Sequence, residues 1–237
     1  MDLTEEIGLA IKKHLLESKA AKYIMKIILF GSWAKGLPYA NSDIDILLVK
    51  KSNGKEADDS LNQAIYDTMV ETGLPLEVLI CPVEEVFWVD NYFIYNIISY
   101  GKEVFSMDKE RLKEEASSGL LELSREYLIS AEDSAKSGHW RLATDAAYNS
   151  LELVTKALLL RKVDDLPGSH GGIVGKFGEL FVKTKEVDGS VGRGLNRALQ
   201  LRNWARYKWE TKIGKDEYEE VYSLVEKLHK VVQRLYD

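Results

Sequence analysis

The sequence predicts a small α/β (α+β) domain built on a small mixed sheet, followed by an all-α bundle of five helices. Three observations carry this prediction. Short apolar, strand-like runs broken by turns crowd the first hundred residues, whereas residues 108–237 keep helical apolar spacing almost throughout. The charge also changes character. Residues 1–107 hold ten lysines, no arginine and sixteen acids, a net of −6, while residues 108–237 hold thirteen lysines, nine arginines and twenty-two acids, a net of zero. The domains are accordingly placed at 1–107 and 108–237.

Leu3 to Lys19 carries Ile7, Ala10, Ile11 and Leu15 at helical spacing and reads as an amphipathic helix. Tyr23 to Phe30 is a short apolar strand ending at Gly31, and Asp43 to Val49 is a second strand, closed by the turn-like Lys50-Lys-Ser-Asn-Gly54. Asp58 to Thr72 reads as a helix stopped by Gly73. Leu76 to Cys81 is a third strand, ended by Pro82. Residues 83–107 are rich in aromatics (Phe87, Trp88, Tyr92, Phe93, Tyr95, Tyr100) and read as a helix followed by a turn at Gly101. Helices follow at 108–136, 140–162, 172–184, 190–209 and 216–236, punctuated by Gly138, Pro167-Gly168, Gly171-Gly172 and Gly189. Short connections between five helices suit an up-and-down bundle.

Composition narrows the class. A hydrophobic content of 45% with 30% charged residues describes a globular chain, and its 237 residues are enough to bury a core. No apolar run approaches the ~18 residues that cross a membrane. The start, Met1-Asp-Leu-Thr-Glu-Glu6, is too acidic for a signal peptide. The single cysteine, Cys81, excludes an internal disulfide and a zinc cluster. A cytoplasmic protein without a membrane partner is the expectation. His14, His139, His170 and His229 show no metal-ligand spacing, and His170, ahead of two glycines, reads as a turn or capping residue.

Chemistry concentrates in Phe30-Gly-Ser-Trp-Ala-Lys-Gly36 and Ser42-Asp-Ile-Asp-Ile-Leu-Leu-Val49. On a strand rising ~3.3 Å per residue, Asp43 and Asp45 point to one side with Cα atoms ~6.5 Å apart. Ile44, Ile46 and Leu48 point to the other side, into a core. Paired carboxylates repel and favour a cation between them, and hard oxygen ligands presented this way suit Mg²⁺ that also holds phosphates. Gly31 and Ser32, after an apolar strand, offer close backbone approach and a hydroxyl for a phosphate oxygen. Glu77, a charge within Leu76-Glu-Val-Leu-Ile-Cys81, is the third carboxylate, the competing reading being a strand-end residue in water. Lys35 either adds charge for phosphate or is a solvated loop lysine.

Residues 28–49 resemble the active-site motif of minimal nucleotidyltransferases of the DNA polymerase beta superfamily: a hydrophobic residue, Gly-Ser, a spacer, then Asp-hydrophobic-Asp. Gly31, Ser32, Asp43 and Asp45 fall on its positions, and Glu77 falls where a third acid is expected. The resemblance, spanning roughly residues 5–105, implies two Mg²⁺ ions held by Asp43, Asp45 and Glu77, and a nucleoside triphosphate, by default ATP. It also implies transfer of the nucleoside monophosphate to a hydroxyl on protein, RNA or a small molecule. Ser32 and nearby backbone N–H groups would grip the terminal phosphates, with Glu77 and Asp45 helping to activate the acceptor.

A second group lies in Leu201-Arg-Asn-Trp-Ala-Arg-Tyr-Lys-Trp209. Arg202 and Arg206 are i, i+4 neighbours, as are Arg193 and Arg197, and residues 193–212 hold six Lys/Arg against Glu210 alone. Such a patch suits phosphate or RNA backbone, unless the arginines merely flank a packed Trp204. Residues 108–237 resemble HEPN domains in the five-helix pattern, Ala146-Ala-Tyr-Asn149, Ser169-His-Gly-Gly172 and Arg202-Asn203. Ribonuclease members carry an arginine, four intervening residues and a histidine. Here Tyr207 stands at that position, and a tyrosine of pKa ~10 is a poor proton-transfer group. The resemblance further implies homodimers and toxin–antitoxin pairs in which a tyrosine two residues beyond the histidine accepts AMP. Trp209 occupies that place here, with Tyr207 nearby.

Overall fold

The computed structural model describes residues 3–37, 42–51, 54–88 and 92–236. The chain forms two compact units, Met1–Ala116 and Ser117–Asp237, the division falling within one long helix. The first unit runs α1 (Leu3–Glu17), a 3₁₀ turn (Lys19–Tyr23), β1 (Ile24–Leu29), α2 (Gly31–Ala34), β2 (Ile44–Lys50), α3 (Lys55–Thr72), β3 (Leu76–Pro82), a 3₁₀ turn (Val83–Val86), α4 (Tyr92–Tyr100), β4 (Lys102–Ser106) and the first turns of α5 (Lys109–Lys136).

The sheet has the order β3-β2-β1-β4. β2 and β3 are parallel, as a helical crossover through α3 requires, and β1 is antiparallel to both β2 and β4. Ile24, Ile27 and Leu29 of β1 and Ile44, Ile46 and Leu48 of β2 meet Ile7, Ile11 and Leu15 of α1 and Ala57, Leu61 and Ala64 of α3 in one core. Each buried Ile or Leu contributes roughly 1.5–3 kcal/mol before entropy is charged against it. β2 is central: Leu47 and Val49, on its opposite face, are buried as well. Asp45 shares that second face by the two-residue period, at the end of the strand where burial gives way to solvent.

The sequence pattern missed β4. Residues 83–107 read as a helix and a turn, yet the helix stops at Tyr100 and Lys102–Ser106 pairs with β1. Gly101 makes the reversal. Its N–H closes on Ile97 O at 2.7 Å, and a Cβ there would overlap Ile28 Cγ2 and stand 2.6 Å from Ile97 O. A five-residue edge strand opening Lys102-Glu103 has little of the apolar alternation that marks a strand in sequence.

The second unit contains the rest of α5, then α6 (Trp140–Leu160), α7 (His170–Phe177) continued by a π turn (Gly178–Val182), α8 (Gly189–Tyr207) and α9 (Lys215–Tyr236). The expected 172–184 helix is thus a shorter helix with a wide last turn, against which Phe177 and Phe181 stack at 4.9 Å. α6 is the hub, packing against α7, α8 and α9, and Ser150 to Leu160 is buried without a break. A helix covered on all sides must find partners for its polar groups. Ser150 and Ser124 of α5 exchange hydroxyl-to-carbonyl bonds of 2.7 and 2.9 Å, and Thr155 Oγ1 donates to Leu151 O. Ser124 also meets His229 Nε2 of α9 at 3.1 Å, and burial lowers the pKa of that imidazole, the nearby Arg125 adding to the shift.

Gly101→Ala has no room without moving backbone. It should destabilise the first unit by about 1–3 kcal/mol, measured by urea unfolding of the full chain.

Candidate active site

Gly31 follows β1 directly, with φ of 66°, in the left-handed region that side chains rarely adopt. Its second constraint is contact. A Cβ on Gly31 would overlap Asp45 Oδ2 and lie 2.6 Å from Asp45 Cγ, so only glycine lets this backbone sit against that carboxylate. Phe30 N donates to Asp45 O at 2.9 Å, and the Ser32 N–H is directed at the Asp45 carboxylate, favouring its ionised form. The loop then folds on itself through Gly36 N to Trp33 O at 3.1 Å and Leu37 N to Ser32 O at 3.0 Å. Trp33 Nε1 ties it to Ser42 O at 3.3 Å.

Asp43 sits one residue ahead of β2 and is exposed, and Asp45 is half-buried inside the strand. Glu77, exposed on β3, is the register partner of Asp45. Burial, then the charge of Glu77, then that of Asp43, together push the Asp45 carboxyl above the usual carboxylate range. Asp45 therefore feels both of the other acids at one end of the sheet, beside Gly31 and Ser32. Among the described residues no three His, Cys, Asp or Glu side chains stand close enough to cage a metal by themselves. Lys35, exposed, places Nζ 5.3 Å from the centre of the Tyr100 ring.

In the second unit Arg202 is buried, with its guanidinium 5.8 Å from the Tyr148 ring and 5.9 Å from the Tyr207 ring. It donates to Asn203 Oδ1 at 3.0 Å, and its Nε makes no hydrogen bond among the described residues. Arg206 binds both oxygens of Asp145, one at 2.9 Å. Arg141, at the start of α6, donates to the carbonyls of Trp204, Ala205, Lys208, Trp209 and Thr211 and so caps the end of α8. Tyr207 and Trp209 project into solvent.

Residues 117–235 match the HEPN domain family, and residues 12–110 match the family described as polymerase beta, nucleotidyltransferase. The chain belongs to the HEPN family. The matched region before it makes the chain a nucleotidyltransferase, with its polymerase-beta-type domain preceding the HEPN domain in sequence. Over 100 residues, 42% of this chain and 67% of the other, it is 32% identical to a Methanocaldococcus jannaschii protein named "Putative toxin MJ0142". A spectinomycin adenyltransferase from Enterococcus faecialis, with ATP and spectinomycin, aligns over 94% of this chain and 97% of its own. At 15% identity and a TM-score of 0.33, that likeness is too loose to bear on substrate.

The HEPN domain holds a polar cluster that the sequence reading passed over. Glu152 accepts from Tyr148 Oη at 2.9 Å, pairs with Lys156 Nζ at 2.8 Å and binds His170 Nδ1. Burial alone would raise the Glu152 pKa, but Lys156 and His170 hold it below the usual value. The Tyr148 hydroxyl is pushed up by burial and by Glu152. Ser169, not His170, caps α7, accepting from Gly172 N at 3.1 Å. The signal was present: Tyr148, Glu152 and Lys156 recur at i, i+4 within an otherwise apolar run, one polar stripe on a helix destined for the interior.

Two predictions follow from these charges. The pKa of Asp45 is raised on folding, so its protonation favours the fold at low pH and that contribution is lost as pH rises through the raised value. Asp45→Asn should therefore lift the melting midpoint near neutral pH by about 1–3 °C and flatten its acid dependence, measured by calorimetry in low salt. In the HEPN domain, Glu152→Gln strips Lys156 of its buried counter-charge. It should cost roughly 3 kcal/mol, part of which Lys156→Met in the same chain should restore, both read by urea unfolding.

Proposed function

We propose that residues 1–107 transfer a nucleoside monophosphate from a nucleoside triphosphate, with ATP as the default, to a hydroxyl acceptor in a Mg²⁺-dependent reaction. The observation that carries this is the fit of Gly31 against Asp45, with Glu77 in register beside it and Asp43 two residues ahead. A phosphate-approaching backbone and a set of oxygen donors thereby share one corner of the sheet. A carboxylate pushed up by burial and two like charges is one that a cation would relieve, and an all-oxygen donor set favours Mg²⁺ over softer-ligand metals. Asp43 and Asp45, with Glu77, form no closed cage by themselves and would supply part of its oxygen ligands, the substrate's phosphates supplying others. When bound, the ion would neutralise charge on the phosphates and polarise the phosphorus under attack.

The chain's own groups account for the rest. The Ser32 hydroxyl and the backbone of the 31–36 loop orient the outer phosphates, and Lys35 adds a positive charge beside them. The acceptor oxygen bonds to the α-phosphorus as the bridge to the β-phosphate breaks, and pyrophosphate departs with that electron pair. Glu77, exposed, takes the acceptor's proton. The HEPN domain gives no comparable case for cleavage, because Tyr207 stands at the position of the ribonuclease histidine and Arg206 is neutralised by Asp145.

Asp43→Asn combined with Asp45→Asn should abolish Mg²⁺-dependent pyrophosphate release from ATP, assayed against a panel of protein, RNA and small-molecule hydroxyls. Wild-type turnover in the double variant would overturn the assignment.

A further inference from the structure

We propose that Tyr100 is a positioning residue for the phosphate loop, holding Lys35 across its ring so that the ammonium meets the departing pyrophosphate. The proposal rests on the nucleotidyl-transfer reading above. Its geometric basis is that one face of α4 touches both ends of the loop. Phe93 and Tyr100 are seven residues apart, two helical turns along the same side. Phe93 meets Phe30 edge to face at 6.2 Å and 86°, just before Gly31, and Tyr100 lies under Lys35, just after Ser32. Gly101 fixes this seat, since its close fit to Ile28, Leu29 O and Ile97 O anchors the end of α4 to the strand from which the loop departs.

The choice of partner matters. The first 107 residues hold sixteen acids, yet among the described residues Lys35 pairs with none of them. A carboxylate would cancel the ammonium and compete with an anionic ligand. An aromatic face orients the cation while leaving its charge intact, and the attraction, ~0.5–1 kcal/mol at an exposed site, is small enough for a phosphate to share it. The turn at Gly36, φ 69°, and the Leu37 N to Ser32 O bond return the chain so that Lys35 and Ser32 belong to one compact loop. Loss of the ring would free the lysine's four rotatable bonds and weaken its hold on the leaving group.

The test is a double-mutant cycle on the affinity of the full chain for inorganic pyrophosphate with Mg²⁺, read by calorimetry. Lys35→Met should weaken binding about tenfold. Tyr100→Leu, which keeps bulk without the ring face, should weaken it about threefold, and Tyr100→Phe should bind as wild type. In the Lys35→Met background, Tyr100→Leu should have no further effect. Tyr100 is 44% exposed, so the substitutions leave the core untouched, and melting midpoints confirm it. Additive losses, a Tyr100→Phe variant as weak as Tyr100→Leu, or unchanged binding by Lys35→Met would each overturn the proposal. Turnover of ATP is a separate readout: pyrophosphate binding with the expected cycle but no turnover would sink the transfer reading alone. A wild-type chain that does not bind pyrophosphate would sink both.

Discussion

The first unit is organised by a contact that excludes a side chain. Gly31 must pass so close to Asp45 that no Cβ fits, and its φ of 66° is one that glycine adopts freely. That contact sets the position of the loop through residue 37, because Phe30 N and Ser32 N both turn toward Asp45. It also explains why the carboxylate is half-buried at all. A strand end ordinarily leaves such a group in water. Here the backbone of the loop covers it, and the covering, with Glu77 in register, raises its pKa. The structure thus stores a local electrostatic cost that a cation would relieve.

The second unit solves the opposite problem. From Ser150 to Leu160 α6 is buried on every side, so its polar residues there cannot rely on solvent. Glu152 and Lys156 neutralise each other one turn apart, Tyr148 and His170 fill the remaining carboxylate valence, and serines bridge to α5. A fully satisfied cluster of this kind fixes which face of α6 meets α7, something an apolar interface of leucines would leave less determined.

Much of this was legible in the sequence, and the exceptions have physical causes. The Gly-Ser and Asp-x-Asp spacing singled out these residues because two charges on one strand face have few other uses, and the structure brings Gly31, Ser32, Asp43, Asp45 and Glu77 to one corner. The β4 strand was hidden because it is short, charged and at an edge, so its pairing with β1 leaves no two-residue apolar alternation. In sequence His170 reads as a turn or capping residue because its partner, Glu152, lies eighteen positions earlier on another helix. No local pattern encodes that separation. The Tyr100–Lys35 contact was illegible for the same reason: the two residues lie far apart in sequence, and only the fold sets them face to face.

The electrostatics of the two units argue for where nucleotide chemistry belongs. The run of six cations in residues 193–212 suggested a phosphate-binding face, but folding puts much of that charge to internal use. Arg202 goes between tyrosines, Arg206 onto Asp145, and Arg197 over Trp204 and toward Glu220. Where a carboxylate is the partner, as for Arg206 and Arg197, the pair holds helices together and leaves less positive potential for a ligand. The arginine-free domain has the reverse character: a net of −6, with acids clustered beside the loop proposed to hold phosphate. A triphosphate approaching that surface would be repelled unless cations intervene, and a nearby lysine supplies at most one charge. In the proposed reaction, divalent metal would therefore be less an accessory than the condition for binding the substrate. The dependence of nucleotide affinity on Mg²⁺ should accordingly be steeper than its dependence on any single side chain.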